Sequence, residues 1–281
     1  MSTNILSQQQ INEFNNNGVL LIPDFYDTDD INQIQHCIYN IIGLVIDKYK
    51  LSITRHKYSA DKFDSGYQKL IKINRDYGSE IYDAVKQIPA FIRLVADKRH
   101  ESLLSQLRNT TLAGIAAGGF GIRIDNPHED KFRAQWHQEY PAQLRSPDGL
   151  VFWSSLINIT PELGPVKFCL GSHKLGPVPV YMNNPKNTQN SGAYSLTLKD
   201  EQQLIKKFPQ IAPLTKPGDL VIIDYMVLHA SGVNRGNRSR WSMQMRYFNF
   251  NNPAGIEIGW KGSFAAGLDF REIHPELCID N

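Results

Sequence analysis

The chain has 281 residues, 41% hydrophobic and 21% charged, enough apolar content for a full core and too much for a disordered chain. Its 30 basic and 28 acidic side chains leave a formal charge of +2, so no overall field draws it to nucleic acid or to an acidic membrane. The three cysteines, Cys37, Cys169 and Cys278, are odd in number and widely spaced, which argues against a disulfide framework and a zinc knuckle. The start, MSTNILSQQQ, lacks a basic flank and an apolar signal core, and the longest apolar stretch, around residues 41–46, is too short to span a bilayer. A cytoplasmic location and a small-molecule partner are therefore expected, with no membrane insertion and no feature that specifies an oligomeric state.

Neither an internal repeat nor a low-complexity linker is present, and one domain over 1–281 is the simplest organisation. Residues 1–109 read as mostly helical support. Ser7 is placed to cap a short helix carrying Ile11 and Phe14 and ended by Gly18. Residues 19–22 form a short strand stopped by Pro23. Asp27 or Thr28 caps a longer helix whose Ile31, Ile34, Ile38, Ile41 and Val45 make one apolar stripe. A third helical stretch starts near Ser79, meets Pro89 and resumes from Phe91 to Leu107. Within it, residues 97–101 mix charges of both signs and read as a solvated helix face.

From about Thr110 the texture changes to short β-like runs at residues 150–153, 220–223 and 243–250, separated by Gly, Pro and Asn turns. Residues 110–250 are thus expected to form a β core, closed or built of two sheets to protect its strand edges. Gly118, Gly119 and Gly121 suit a turn between strands, since no Lys-Ser/Thr and no helix follow as a phosphate cradle requires. Residues 251–281 read as a surface tail with some ordered packing.

The central chemical feature is Trp136-His137-Gln138-Glu139, read as the end of a strand. Residues two apart on a strand project to the same side, with Cβ atoms about 7 Å apart, so His137 and Glu139 flank one metal. A third ligand must come from elsewhere, and His229 follows an apolar run ending at Leu228. Two imidazoles and one carboxylate on one face leave three positions open, the arrangement of non-haem iron oxygenases. Arg240, eleven positions on, is suited to grip a terminal carboxylate through a turn at Asn234 and Gly236.

The segments WHQE, DGLVFWSSLINITPELGPVKFCLGSHKLG and KPGDLVIIDYMVLHASGVNRGNRSRWSMQMRYF resemble the phytanoyl-CoA dioxygenase family of iron(II)- and 2-oxoglutarate-dependent oxygenases. The resemblance is strong over the C-terminal half and one of character over the helical part. It implies a mainly β fold with α additions, a double-stranded β-helix of jelly-roll or cupin-like type. It also implies His137, Glu139 and His229 as the catalytic iron ligands, with Arg240 anchoring the far carboxylate of 2-oxoglutarate, Ser231 assisting it and Trp153 lying against it. Fe(II), 2-oxoglutarate and O2 follow as cofactors, and hydroxylation of an unactivated C–H bond, with release of succinate and CO2, as the reaction. Two positions depart from the family pattern: Glu139 stands where Asp is usual, and Leu170-Gly171-Ser172-His173 where Pro-Gly-Ser-His is frequent. The carboxylate at 139 leaves no vacated position for halide, which favours hydroxylation over halogenation.

Arg123, on the run 121–125, is placed to approach 2-oxoglutarate or substrate, or to pair with Asp125. Tyr140, Gln143 and Arg145 follow Glu139 and form either a rim above the iron or ordinary loop packing. On the run 240–247, Arg240, Ser242, Gln244 and Arg246 alternate with apolar residues, so Gln244 and Arg246 share the side of Arg240 and face either substrate or solvent. His173 is a pocket or a loop residue, and His36, His56, His100, His128 and His274 read as surface or structural. Arg123, Arg145 and Arg246 together favour an acidic metabolite, such as a sugar acid or an amino-acid-like compound, without excluding a neutral natural product. Two alternatives remain open from the residues alone. One is a cupin-type isomerase or an oxygenase without 2-oxoglutarate; the other is a non-catalytic carbohydrate-binding β-domain using Trp260 and Tyr181.

Overall fold

A computed structural model describes residues 5–182 and 196–280; residues 1–4, 183–195 and 281, part of the domain expected over 1–281, lie outside it. The chain begins with α1 (Gln8–Asn17), capped by Ser7 in a reciprocal box with Gln10 and closed at Gly18, whose φ of 72° is the left-handed turn the sequence suggests. β1 (Val19–Ile22) follows, then α2 (Thr28–Lys48), whose buried stripe runs through Ile31, Ile34, Ile38, Ile42 and Val45. The stripe takes Ile42 rather than the expected Ile41, because a helix turns 3.6 residues per revolution. Burying each of these isoleucines contributes roughly 1.5–3 kcal/mol.

α3 (Tyr67–Ile73), which no periodicity announced, precedes three separate helices where one interrupted stretch was expected: α4 (Arg75–Val85), α5 (Pro89–Val95) and α6 (Lys98–Arg108). Pro89 forces Ile88 into extended backbone and opens α5 at its first turn. Asp97 then starts α6 by accepting from the Arg99 backbone N–H at 2.8 Å. The charged run 97–101 is therefore a helix cap, and no plain solvated face, since His100 within it is fully buried and stacks on Phe152.

The β region comprises β2 (Ala113–Ile115), β3 (Gly121–Asp125), the short α7 (Tyr140–Gln143), β4 (Gly149–Ser155), β5 (Val166–Cys169), β6 (Val180–Tyr181) and β7 (Thr197–Leu198). After α8 (Glu201–Ile205) come β8 (Gln210–Ile211), β9 (Leu220–Asp224), β10 (His229–Ser231) and the long β11 (Arg240–Asn249). The end of the chain is ordered as α9 (Pro253–Glu257), α10 (Ser263–Ala266), α11 (Phe270–Ile273) and β12 (Cys278–Ile279). The main sheet runs β1-β9-β4-β11-β2 with β3 beside the first half of β11; a second sheet is β10-β5-β8 and a third β12-β6-β7. This is a mainly β fold with helical additions, compatible with a double-stranded β-helix core. No helix of the described residues is long and apolar enough to cross a membrane.

The main sheet is covered by helices on one face. Trp241 packs against Phe63 and Tyr67, Tyr247 donates its hydroxyl to the Val95 carbonyl at 2.6 Å, and Gln35 reaches the Leu156 carbonyl at 2.8 Å. Strand parity then turns Arg240, Gln244 and Arg246 to the opposite face, where they line a cavity together with residues of β10.

Candidate functional site

The cavity measures about 480 Å³ and contains His137, Glu139 and His229 from one side and Trp153, Arg240, Gln244 and Arg246 from the other. His137 is held by a two-way backbone bridge to His229, with N–H to carbonyl distances of 3.0 Å in both directions. The ligand atoms of His137, Glu139 and His229 all lie within 4.8 Å of one another, and His229 Nε2 is 3.7 Å from Glu139 Oε2.

The strand expected for residues 137–139 does not extend to Glu139. Its backbone is in the right-handed helical region, where Glu139 serves as the N-cap of α7. The Tyr225 carbonyl accepts the backbone N–H groups of both Glu139 and Tyr140, at 2.9 and 3.2 Å, and so turns the chain. The two side chains converge through this bend rather than through strand alternation.

Both imidazoles are oriented in the same way. His137 Nδ1 donates to the Gln135 carbonyl at 2.7 Å and His229 Nδ1 to the Val227 carbonyl at 2.9 Å. A carbonyl only accepts, so Nδ1 carries the proton and the Nε2 lone pair faces the cavity. Burial pushes His229 down to about 3 and also lowers His137, which keeps both rings neutral. Burial alone would raise the Glu139 carboxyl, but the Arg246 guanidinium beside it, 2.6 Å from Oε1, brings it down to about 2 and keeps it ionised. Two neutral nitrogen donors and one carboxylate suit a divalent cation that takes mixed N/O ligands, iron(II) among them.

Arg240 is 1% exposed. It donates to Ser231 Oγ at 2.8 Å, to Asp125 Oδ2 at 2.9 Å and to the Gly164 carbonyl, while its Nε has no partner among the described residues. An orphaned guanidinium N–H this deeply buried is costly unless an anion meets it, and the far carboxylate of a dicarboxylate such as 2-oxoglutarate fits there. Asp125 also holds Arg123, at 2.9 Å to Nε and 2.8 Å to NH2. Burial would raise the Asp125 carboxyl, but Arg123 and Arg240 bring it down to about 2.

Of the other residues singled out, Trp153 lines the cavity opposite Gln244 in the β4–β11 register. Gln143 and Arg123 line it too. Gln244 accepts from Arg246 at 2.6 Å, and Arg246 Nε meets Glu139 Oε1 at 2.6 Å. Tyr140 and Arg145 are not brought to this wall. The Tyr140 hydroxyl lies 3.0 Å from His274 Nε2 and its ring packs on Phe270, while Arg145 donates to the Ala117 and Gln143 carbonyls against Gly262. For Tyr140 the cause is the helical turn at Glu139, which sends successive side chains around α7 and only Gln143 back to Glu139; Arg145 lies beyond the end of α7, where Leu144 and Arg145 take positive φ of 55° and 61° and the chain changes direction. His173 lies in a short 3-10 helix over Ser172–Leu175 and does not line the cavity, its Nε2 being 3.1 Å from the Asn15 carbonyl. Trp260 packs edge-on against Phe250 and donates to its carbonyl, and lies on the surface away from the cavity lining.

Two supporting residues lie within motifs singled out in the sequence but were given no role there. Gln138, between two cavity-facing residues, points the other way and stitches Gly176, Val178 and Met226 together at 2.8–2.9 Å. Ser172 donates to the Cys169 carbonyl at 2.7 Å and accepts the Leu228 N–H at 2.9 Å, fixing the backbone just before His229.

The family model described as phytanoyl-CoA dioxygenase (PhyH) matches residues 14–242. No curated protein matches the chain. Among solved structures, EctD from S. alaskensis with bound Fe aligns at a TM-score of 0.56 and 19% identity, over 89% of this chain and 80% of that one. The same protein with 2-oxoglutarate and 5-hydroxyectoine aligns at 0.55 and 19%, over 89% and 79%. The non-heme alpha ketoglutarate dependent carbocyclase SnoK from nogalamycin biosynthesis aligns at 0.55 and 14%, over 87% and 85%. At these identities the likeness to the solved structures is one of fold.

Proposed function

The chain belongs to the phytanoyl-CoA dioxygenase (PhyH) family and is an enzyme of the 2-oxoglutarate-dependent oxygenase class, and on that premise we propose that it hydroxylates an unactivated C–H bond of a small molecule. The observation that carries the reading is the convergence of the His137, Glu139, His229 set and the Arg240–Ser231 pair on one cavity. Either half alone has ordinary structural explanations; together they match a metal and a dicarboxylate held side by side. EctD, of the same fold, has been crystallised with Fe and with 2-oxoglutarate.

In this reading His137 and His229 present Nε2 and Glu139 presents a carboxylate oxygen to Fe(II). Bound together, iron and 2-oxoglutarate activate O2, giving succinate, CO2 and an oxygen atom for a substrate C–H bond. Arg240 and Ser231 hold the far cosubstrate carboxylate and fix its direction. Trp153, Val151, Val166 and Ile223 line the cavity with apolar surface and exclude water from the reacting centre.

The arginines from which an acidic substrate was expected have partners within the fold. Arg123 is engaged by Asp125, Arg246 by Glu139, and Arg145 lies against Gly262. The remaining wall joins Tyr82, Phe120, Ile122 and Trp136 to Lys86, Gln135 and Gln143, which suits a small molecule with an apolar body and a polar or acidic end.

The test is anaerobic addition of 2-oxoglutarate to the iron-loaded protein, followed by succinate release in air with a panel of neutral and acidic small molecules. Binding of 2-oxoglutarate, and a product heavier by one oxygen, are expected. Failure of 2-oxoglutarate both to bind and to be consumed sinks the proposal.

A further inference from the structure

Glu139 is the longer carboxylate at a position where the family usually carries Asp, and its extra methylene meets a specific partner. Arg246 on β11 spends its guanidinium on three elements. Nε donates to Glu139 Oε1 at 2.6 Å, NH1 to the Gly119 carbonyl at 2.8 Å and NH2 to Gln244 Oε1 at 2.6 Å. The fork is planar and rigid, so these contacts fix its direction against α7, the β2–β3 turn and its own strand. Gln143 adds a second donor to the same oxygen, Nε2 to Oε1 at 3.3 Å. The other oxygen, Oε2, is the one that faces His229 Nε2 at 3.7 Å.

We propose that Arg246 is a positioning residue that holds Oε1 of Glu139, so that the carboxylate offers a metal Oε2 alone and the position a second oxygen would take stays open. The proposal rests on the metal-centre reading above. Two imidazoles and one carboxylate oxygen leave three of six positions for ligands from outside the chain. A chelating keto acid needs two of them and O2 the third, so a carboxylate bound through both oxygens takes a place the reaction requires. Glutamate has one more rotatable bond than aspartate and swings both oxygens onto a metal more readily. A donor aimed at one oxygen removes that freedom.

The test uses Co(II) as a redox-stable probe. Crystal structures of the Co(II)-loaded wild type and Arg246→Met give the number of Glu139 oxygens within about 2.2 Å of the metal, and calorimetry gives the affinities for Co(II) and then for 2-oxoglutarate. We expect one oxygen in the wild type and two in Arg246→Met. Co(II) binding in the variant is expected to be unchanged or tighter, because a nearby cation has gone, while 2-oxoglutarate binds about tenfold or more weakly. Arg246→Lys, which keeps the charge and one donor, falls between. Two oxygens in the wild type overturn the proposal without recourse to any variant. So do one oxygen in Arg246→Met, an unchanged 2-oxoglutarate affinity, or a joint loss of both affinities, which would mark a site that has merely lost its shape. If no Co(II) binds at His137 and His229 the metal-centre reading itself falls; if it binds through both oxygens only the clamp does.

Discussion

Arg240 and Asp125 stand directly opposite each other in the β11–β3 register, and their side chains close a 2.9 Å ion pair at 1% and 10% exposure. Asp125 also pairs with Arg123 at 2.8 Å, so one carboxylate orients two guanidiniums at the edge of the cavity. The residue proposed to anchor the cosubstrate is thereby held in place by its own fold, while its buried Nε has no partner among the described residues.

The Asp125 carboxyl lies at about 2 in the fold against an ordinary 3.8. A depressed folded value means that its contribution to stability is complete above about pH 4 and is lost as the pH falls toward 2, on the order of 2 kcal/mol. Asp125→Asn lacks this term and leaves two guanidiniums facing each other. Urea unfolding of wild type and variant should therefore show a stability gap that is widest near neutrality and narrows below about pH 4. A gap of constant size would remove Asp125 as its source.

Arg240→Lys replaces a planar fork with a single ammonium. We expect 2-oxoglutarate affinity to fall about tenfold to a hundredfold, with Co(II) affinity within about threefold of wild type, because Arg240 contacts no proposed metal ligand. Calorimetry on the metal-loaded protein reads both. A parallel loss of metal would mean that Arg240 supports the whole cavity rather than the cosubstrate.

His229→Ala removes one of two nitrogen donors and also the ring that stacks on Phe168. Metal affinity should drop by at least about a hundredfold while far-UV circular dichroism stays unchanged. Treating the wild type with a chelator should abolish succinate release, and Fe(II), but not Zn(II), should restore it. Undiminished metal binding in the variant would take His229 out of the ligand set.

Tyr140→Phe is the negative control for the reading of α7. The hydroxyl meets His274 and lies away from the cavity, so its loss should cost about 1 kcal/mol of stability and leave the affinities for metal and 2-oxoglutarate unchanged. A change in either affinity would return Tyr140 to the site.

Much of this was legible because it depends on short-range rules. The Ser7 cap, the Gly18 stop, the strand at 19–22 and the alternation along β11 follow from local chemistry and period. His229, Ser231 and Arg240 could be placed together because a turn and a strand return connect them. The helical bend at Glu139 could not, since it is set by the carbonyl of Tyr225, a residue far along the chain. The same holds for the partners of Arg246, which come from three separate elements. The Arg123–Asp125 pair was among the alternatives the sequence offered, since the two are strand neighbours, whereas the Arg246–Glu139 pair was not, because its residues lie far apart along the chain. Burial of His100 beneath Phe152 was likewise hidden by its charged neighbours.

The pairing of Val19 with Ile223 and of Leu20 with Ile222 has a kinetic consequence. β1 and its neighbour β9 lie about 200 residues apart along the chain, so the sheet supporting the cavity cannot be completed until the whole stretch between them is available. Contacts this distant in sequence slow folding, because loop closure must precede any gain from pairing. Until they form, the apolar edge of β9 is unprotected, and a chain arrested or misregistered at that stage is the species most prone to self-association.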